Sequence, residues 1–487
     1  MDGDRHLTGR AMARHLGEWR TAEAGVAYLE LAERIKLLVL DGRLPLHTRL
    51  PAERELAVAL RLSRTTVAAG YDRLRESGYL HSRRGAGSWT TMPEGPTRRE
   101  LTAFAPAAES TALDLAYAAL PAPPEQLTSA LRAAGERVAR YTGGSGYQLL
   151  GLDVLRDAVA ARFTDRGLPT TRDQVLITCG GQQAIALVLD TLTSPGDRVL
   201  VEHPTYPNAL DAIARMHARA VPVGFPSARA EGWDVDTMGA AVRDAAPRLI
   251  LLIPDYHNPT GRCMDDNQRA EVATLGRRTH TPLLIDETVT ELVLDGPAPT
   301  PFAALAADSG SAPVITVGSA SKTFWGGIRI GWVRASRPMI ERIARTKASV
   351  DIASSVLDQL VVEHLLGEVE PVLARRLPMV RAAREHLRSL VAGRFPGWTA
   401  THPPGGLSLW VDLGAPVSSM LVTAAARHGV LLAAGPRFGL DGAFERFLRL
   451  PYTLPEPRLD LAVERLAAAW LSLSTVPGWT GAPTEVA

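Results

Sequence analysis

Apolar residues in the first 90 positions recur with the spacing of amphipathic helices. A first helix is predicted from Ala27 to Asp41, and a second helix from about Glu53. A third helix follows Ser63, a residue suited to cap it, and Gly78 is suited to end it. The inward-facing positions of the three helices are Leu31, Ile35, Leu38, Leu56, Leu60, Val67, Tyr71 and Leu74.

The next stretch, YLHSRRGAGSWTT, predicts two short strands around a glycine-bearing turn. A helix, a helix-turn-helix and a wing form a DNA-reading arrangement whose third helix enters the major groove. Local charge agrees, because residues 26–92 hold 11 Lys and Arg against 7 Asp and Glu, whereas the whole chain has a net charge of only +1. Arg54, Arg64, Arg83 and Arg84 lie where a phosphate or a base edge could be met. The alternative is a solvated three-helix module for protein contacts.

From residue 113 onward, short apolar runs alternate with helical segments. They are typical of buried strands in a largely parallel sheet, and they span residues 175–178, 198–202, 249–253, 283–286 and 314–318. Residues 93–112 are rich in Pro and Ala and are predicted to form a linker. The sequence therefore predicts a multidomain chain, with a mainly α-helical head at 26–92 and an α/β domain at 113–475.

The totals of the 487-residue chain are those of an ordinary globular protein, with 46% hydrophobic and 22% charged residues. The N-terminus lacks the apolar core of a signal peptide, and no run approaches 18 apolar residues. We therefore expect a soluble, cytoplasmic protein with no membrane partner. Cys179 and Cys263 lie far apart without metal-ligand spacing, so neither a disulfide framework nor a metal site is expected.

Lysine is rare in this chain, since only Lys36, Lys322 and Lys347 occur among 53 basic residues. Lys322, in the stretch SASKTFWGGIRIGW, is therefore a notable choice over arginine. An amine can lose its proton and attack a carbonyl to form a Schiff base, whereas a guanidinium stays protonated. A surface lysine without a role is the alternative, so the prediction depends on finding the rest of a site.

The phosphate of an aldehyde cofactor would find a cradle in the stretch TCGGQQA, which joins a predicted strand to a helix. The amides of Gly181 and Gln182 would point at an anion there, aided by the helix dipole. Arg329 follows Lys322 by seven residues and suits a bidentate contact with the same phosphate. Ser319 adds a hydroxyl.

A pyridine ring in such a cofactor would need three further groups. Asp286 closes a predicted buried strand and could keep the ring nitrogen protonated, which makes the ring an electron sink. Asn258 in HNPTG could donate to the ring hydroxyl, and Tyr206 in EHPTYPN could stack on the ring. Each motif alone has an ordinary alternative as a turn, a tight bend or a helix cap, and their joint occurrence in this order carries the prediction.

The segment Leu50 to Thr90 resembles the winged helix-turn-helix of the GntR family over its whole length. The resemblance implies contacts with double-stranded operator DNA from Arg54, Ser63, Arg64, Thr65, Thr66, Arg84 and Gly85. One departure is Ala52, where the family often has a capping serine, and its absence costs about 1 kcal/mol of helix stability.

The order of motifs in the rear part resembles the fold-type-I aminotransferases that use pyridoxal 5′-phosphate (PLP). The resemblance implies a large, mostly parallel sheet domain with a smaller α+β part. In it Lys322 is the Schiff-base lysine, Asp286 the ring-nitrogen partner and Asn258 the ligand of the ring hydroxyl. It makes Gly181, Gln182, Ser319 and Arg329 the phosphate ligands.

Two more residues take their roles from this resemblance. Tyr141 in YTGGSGYQLLG matches a tyrosine that reaches the phosphate of the neighbouring subunit, which implies a homodimer. Arg449 in FLRLPY matches the arginine that binds a substrate carboxylate. A GntR-type head joined to this fold is similar to the MocR subfamily of transcriptional regulators.

Two departures from the aminotransferase pattern weaken the prediction of catalysis. The family usually has a tyrosine two or three residues after the aspartate, where Thr288 and Val289 stand here. The lysine motif also usually continues with a proline, where Gly326 stands. The first change alters the hydrogen bonds that tune the cofactor, and the second mostly alters backbone freedom.

Three hypotheses follow from the sequence. The leading one is a PLP-dependent regulator that senses a small amino compound through an external aldimine at Lys322, with slow or partial transamination. The second is a functional aminotransferase with a regulatory DNA-binding head. The third is a scaffold that has lost the cofactor, against which the complete set of Lys322, Asp286 and Arg329 argues.

Overall fold

The computed structural model describes residues 5–17, 19, 26–83, 87–91, 112–226, 232–306 and 313–473. These residues form a head with a four-stranded sheet, and a body that holds a seven-stranded and a five-stranded sheet. Within the described ranges no helix is long and apolar enough to cross a membrane. The predicted linker lies outside the described residues, apart from residue 112.

The described residues of the head form four helices and four short strands. In chain order they are β1 (Arg5–His6), α1 (Gly9–Leu16), α2 (Ala27–Leu40), β2 (Thr48–Arg49), α3 (Glu53–Leu60), α4 (Arg64–Glu76), β3 (Leu80–Arg83) and β4 (Gly87–Thr90). The strand order is β1-β2-β4-β3, and β3 and β4 pair antiparallel as the predicted wing. The three predicted helices are all present at the predicted places.

Local sequence explains how the head helices begin. The Ser63 hydroxyl accepts a hydrogen bond from the Thr66 amide at 3.0 Å, which caps α4. Helix α3 begins after Ala52 without a side-chain cap, as the sequence predicted. Helix α1 was not predicted, and it places Met12 and Leu16 in the buried core that α2, α3 and α4 share.

The body begins with β5 and is built mainly of strands alternating with helices. Its elements up to the end of the large sheet are β5 (Leu113–Leu115), α5 (Pro124–Val138), α6 (Asp153–Asp165), β6 (Val175–Thr178), α7 (Gly180–Leu192), β7 (Arg198–His203), α8 (Pro207–Arg215), β8 (Arg219–Gly224), α9 (Val235–Ala245), β9 (Leu249–Leu252), α10 (Asp266–Thr279), β10 (Leu283–Asp286), α11 (Phe302–Ala306), β11 (Val314–Ser319), α12 (Ala320–Thr323) and β12 (Gly331–Arg334). The remaining elements are α13 (Arg337–Val350), α14 (Val356–Gly367), α15 (Val369–Arg394), β13 (Thr399–Ala400), β14 (Ser408–Asp412), α16 (Ser418–Arg427), β15 (Val430–Ala434), β16 (Phe447–Pro451) and α17 (Glu456–Leu473).

The seven-stranded sheet has the order β6-β12-β11-β10-β9-β7-β8. All neighbours are parallel except β12, which runs antiparallel to both β11 and β6. Strands β6, β9 and β10 are buried along their whole length, which explains their continuous apolar sequences. Because parallel strands end at the same edge of the sheet, residues just after β6, β10 and β11 are brought together there.

The five-stranded sheet has the order β13-β14-β16-β15-β5. Strand β5, the first described element after the linker, pairs in parallel with β15. Helices α15, α16 and α17 pack on this sheet and share with it a second large apolar core. The small sheet therefore joins the start of the body to the segment that carries Arg449.

Candidate functional site

Lys322 lies on the one-turn helix α12 directly after β11, with its side chain partly buried. Its Nζ donates to the Ala118 carbonyl oxygen at 2.6 Å. Burial, followed by the positive charge of Arg449, lowers the pKa of Lys322 to about 8, while Asp286 opposes this shift. A much larger share of the amine is therefore neutral near pH 7 than for an ordinary lysine, as a carbonyl nucleophile requires.

The predicted phosphate cradle lies between β6 and the first turn of α7. Gly180 has φ +77°, and a Cβ there would lie 2.6 Å from Nη2 of Arg329. A glycine is therefore needed for the guanidinium to approach the start of the helix. Arg329 Nη2 donates to the Cys179 carbonyl oxygen at 3.2 Å, next to the amides of Gly181 and Gln182.

Ser319, a predicted phosphate ligand, lies beside the predicted cradle, since a Cβ on Gly181 would lie 3.5 Å from its Cβ. Ser319 is buried at the end of β11, and its Oγ lies 3.0 Å from Oγ of Ser321. Sequence reasoning gave no role to Ser321, although it stands in the same SASK motif as Lys322. Hydroxyls, helix amides and a guanidinium together suit a phosphate dianion.

Asp286 ends β10 and is 5% exposed. Its Oδ1 accepts the Thr288 amide at 2.9 Å. Burial raises the pKa of Asp286, and hydrogen bonds from Thr288 and the charge of Lys322 oppose that rise. A buried carboxylate of this kind gains by pairing with a protonated ring nitrogen.

Tyr206, the residue predicted to stack on the ring, precedes α8 as its N-cap. Its hydroxyl accepts a hydrogen bond from Asn208 Nδ2 at 3.0 Å. Burial raises the pKa of the Tyr206 phenol, with the charge of Asp286 as the second cause.

Arg449 lies on β16 and is 6% exposed. Its two terminal nitrogens donate to the Ala116 carbonyl oxygen and, at 3.3 Å, to Oδ1 of Asn258. Its guanidinium carbon lies 4.9 Å from the centre of the Phe438 ring. Burial, then the nearby Arg437, lowers the pKa of Arg449 to about 10.

The Nε of Arg449 is buried and has no hydrogen-bond partner among the described residues. A buried donor without a partner is costly, and a carboxylate ligand would satisfy it. The predicted substrate-binding role therefore fits the surroundings of Arg449.

A short segment after β5 contacts both Lys322 and Arg449. Within it, the Ala118 carbonyl accepts from Lys322 and the Ala116 carbonyl accepts from Arg449. We call residues 116–118 the strap. Sequence reasoning missed it, because a backbone carbonyl acceptor has no side-chain signature in the sequence.

The position of the missing tyrosine is filled by a backbone contact and an apolar side chain. Thr288 holds Asp286 through its amide, and Val289 packs against the core of the small sheet. Tyr256, an alternative donor to the ring oxygen, is 4% exposed, and burial raises its pKa. A Cβ on Gly406 would lie 3.0 Å from the Tyr256 Cβ, so the tyrosine packs tightly on that turn.

Tyr141 lies in a single 3-10 turn after α5 and packs against the core that α5, α6 and α14 share. Its predicted role needs a second subunit and stays a prediction.

The residues predicted to contact DNA lie at the surface in the described part of the head. Arg54, Ser63, Arg64 and Thr65 are exposed, and Thr66 is half-buried beneath the Ser63 cap. Arg64 is 72% exposed, and its Nε lies 3.3 Å from Glu53 Oε2. An exposed ion pair of this kind is weak, so Arg64 remains available to a stronger anionic partner. Arg84 and Gly85 lie outside the described residues.

The body thus has the fold and the donor set of a PLP-dependent aminotransferase, and the head has a winged helix-turn-helix. The chain belongs to the family described as aminotransferase class I and II, which matches residues 114–466. The family described as bacterial regulatory proteins, gntR family, matches residues 27–89. This combination is the MocR-like architecture, so the resemblance predicted from the sequence is confirmed, and it implies PLP as the cofactor.

The chain is similar to transcriptional regulators and to aminotransferases. YisV, an uncharacterized HTH-type transcriptional regulator of Bacillus subtilis, is 26% identical, and the match covers 90% of this chain and 95% of the length of YisV. The 2-aminoadipate transaminase of Thermus thermophilus is 28% identical over 70% of this chain and 83% of its own. The crystal structure of LysN, the α-aminoadipate aminotransferase of Thermus thermophilus complexed with N-(5′-phosphopyridoxyl)-L-leucine, has a TM-score of 0.69. It is 27% identical and covers 75% of this chain and 94% of LysN.

Proposed function

We propose that this protein is a DNA-binding transcriptional regulator that holds PLP at Lys322 and responds to a small amino compound at the same site. When bound, PLP supplies an aldehyde that exchanges amines and a ring that withdraws electrons. Lys322 would hold the aldehyde carbon, Asp286 the ring nitrogen and Asn258 the ring oxygen. Gly181, Gln182, Ser319 and Arg329 would hold the phosphate, and Tyr206 would cover the ring.

One observation carries the proposal that binding is sensed. Lys322 and Arg449 both donate to the strap. Lys322 donates to the Ala118 carbonyl and Arg449 to the Ala116 carbonyl. An incoming amine would compete with Lys322 for the aldehyde, and an incoming carboxylate would compete with the Ala116 carbonyl for Arg449. The strap directly follows β5, which is the first described strand after the linker and pairs with β15. The contacts of the strap would therefore differ between the free and the bound states. Such differential affinity is what allows a ligand to shift a conformational equilibrium.

Operator binding is assigned to the head, through Arg54, Ser63, Arg64, Thr65, Thr66, Arg84 and Gly85. The exposed start of α4 supports this assignment. Arg64 and Thr65 are the first two residues of this helix, which is suited to the major groove. Contact with DNA implies a cytoplasmic location.

A homodimer is part of the proposal. Large apolar side chains are exposed on the body, among them Tyr147, Trp325, Val350 and Ile352. Asp351, between the last two, accepts Gln183 Nε2 at 2.7 Å, which ties this segment to the start of α7. A second copy would cover these side chains and bring its own Tyr141 to the phosphate. Sedimentation of Val350→Glu should show a weakened dimer.

The experiment that tests the function uses the scarcity of lysine. Borohydride reduction of the PLP-loaded protein should abolish its near-ultraviolet to visible absorbance band. Peptide mass spectrometry should then find the cofactor on Lys322, not on Lys36 or Lys347. Lys322→Ala should lack the reducible band, whereas the control Lys36→Ala should keep it. A reducible band that persists in Lys322→Ala would show that the assignment is wrong.

A further inference from the structure

The end of helix α2 in the head lies against the body. The Phe444 amide donates to the Leu40 carbonyl oxygen at 2.7 Å. Arg446 lies 3.8 Å from Asp41, and both side chains are largely buried. Burial raises the pKa of Asp41 to about 6, with Arg446 opposing the rise. The head is therefore held to the body by a close, partly polar contact.

His203, the last residue of β7, is the centre of this contact. The Leu440 amide donates to its Nε2 at 3.0 Å, so Nε2 is an acceptor. The other ring nitrogen, Nδ1, then carries the proton and donates to the Gly42 carbonyl oxygen at 3.1 Å. The imidazole also packs edge-on against Phe444, with ring centres 4.6 Å apart.

The same residues support the cofactor site. His203 precedes Tyr206 by three positions, and the Thr205 amide between them donates to the Phe438 carbonyl oxygen at 2.9 Å. Phe438 in turn lies beneath the Arg449 guanidinium. The Tyr206 loop is therefore continuous with the segment that holds the head. Phe438, which packs under Arg449, contacts the same segment.

We propose that His203 is a positioning residue that couples docking of the head to occupation of the cofactor site, through Gly42 on one side and the Tyr206 loop on the other. This inference rests on the proposed function, because it concerns the same site. Coupling of this kind is reciprocal, so a change that releases the head alters the affinity for PLP, and PLP alters head docking.

The test breaks the contact without touching the cofactor site. In Gly42→Ala the new Cβ collides with the Phe444 ring and lies 2.7 Å from His203 Nδ1, at φ +65°. Gly17→Ala is the matched control, because Gly17 has φ +60° in the same head and nothing within 4 Å of its Cβ. Gly224→Val attacks the contact from the body, where even a Cβ lies 3.2 Å from the Arg43 Cα.

We expect Gly42→Ala and Gly224→Val to raise the radius of gyration in X-ray scattering. We also expect them to weaken PLP binding by about fivefold or more, the usual lower range of coupling between sites. Gly17→Ala should match the wild type in both measurements. In the wild type, PLP loading should lower the radius of gyration.

Two results would overturn the inference. One is an unchanged radius of gyration in both contact variants, which would show that the head is not docked here. The other is PLP affinity within twofold of the wild type when the head is released. If wild-type protein shows no borohydride-sensitive band, the proposed function fails and the inference fails with it.

Discussion

Replacement of Gly180 by alanine tests the phosphate cradle most directly. The new Cβ would lie 2.6 Å from Nη2 and 3.0 Å from Cζ of Arg329, so the guanidinium must shift away from the start of α7. A charge-assisted hydrogen bond contributes about 1.5–3 kcal/mol. At about 1.4 kcal/mol per factor of ten, its loss weakens PLP binding by roughly 10- to 150-fold. Alanine at φ +77° adds about 1–2 kcal/mol of backbone strain, which lowers the melting temperature.

Gly196→Ala separates these two effects. Gly196 has φ +89° in the turn before β7, and nothing lies within 4 Å of its Cβ. This control should lose a similar amount of stability and keep wild-type PLP affinity. The assays are equilibrium titration with PLP and thermal unfolding of both variants without cofactor. Equal PLP affinity in Gly180→Ala and Gly196→Ala would refute the placement of Arg329 on the phosphate.

Three further predictions concern the amine, the carboxylate and the DNA. Because burial lowers the Lys322 pKa to about 8, the rate of PLP capture should rise with pH with a midpoint near that value; a rise that continues past pH 10 would contradict the burial argument. Arg449→Gln should weaken binding of amino acids by roughly 10-fold or more, since a charged hydrogen bond is lost, and should spare amines without a carboxylate; equal effects on both would contradict it. Arg64→Ala should weaken operator binding at fixed salt by about 1–3 kcal/mol, while Arg73→Ala, on the same helix but in an exposed ion pair with Glu76, serves as the control. Wild-type affinity in Arg64→Ala would argue against its predicted contact.

The sequence predicted five strands of the large sheet because those five are almost wholly buried, whereas β8 and β12, whose burial alternates, were not predicted. Residues 175–178 and 283–286 coincide with β6 and β10, since a short, continuous apolar run between turns has few other solutions. Lys322 and Asp286 could be proposed from the sequence because each stands in a motif at the end of a buried strand, and their roles stay predictions.

Other features could not be predicted for physical reasons. The strap acts through backbone carbonyls, which every residue possesses. Helix α1 contributes only Met12, Leu16 and a backbone contact at Gly9 to the head core, too few positions to establish a period. The role of His203 depends on contacts to Gly42 and Leu440, which are 161 and 237 positions away.

The last prediction separates a sensor from an enzyme, and it depends on the oxygen of the cofactor ring. In the absence of a tyrosine at positions 288 and 289, Asn258 is the predicted ligand of that oxygen. Its Oδ1 already accepts from Arg449 at 3.3 Å, so its Nδ2 is the atom left to donate. Proton transfer at the substrate carbon needs finely matched pKa values, and the loss of one donor disturbs them more than it disturbs binding.

A carboxylate that binds Arg449 competes with Asn258 Oδ1 for the same guanidinium. Binding of an amino acid therefore weakens the contact that orients Asn258, and turnover depends on that orientation. We expect amino acids to shift the absorbance of the bound cofactor rapidly, while multiple turnover with a keto-acid acceptor stays slow. Turnover at about 1 per second or faster, which is ordinary for enzymes, would contradict the sensor hypothesis and favour an aminotransferase with a DNA-binding head. The measurement needs a panel of amino acids and amines, with Lys322→Ala as the blank.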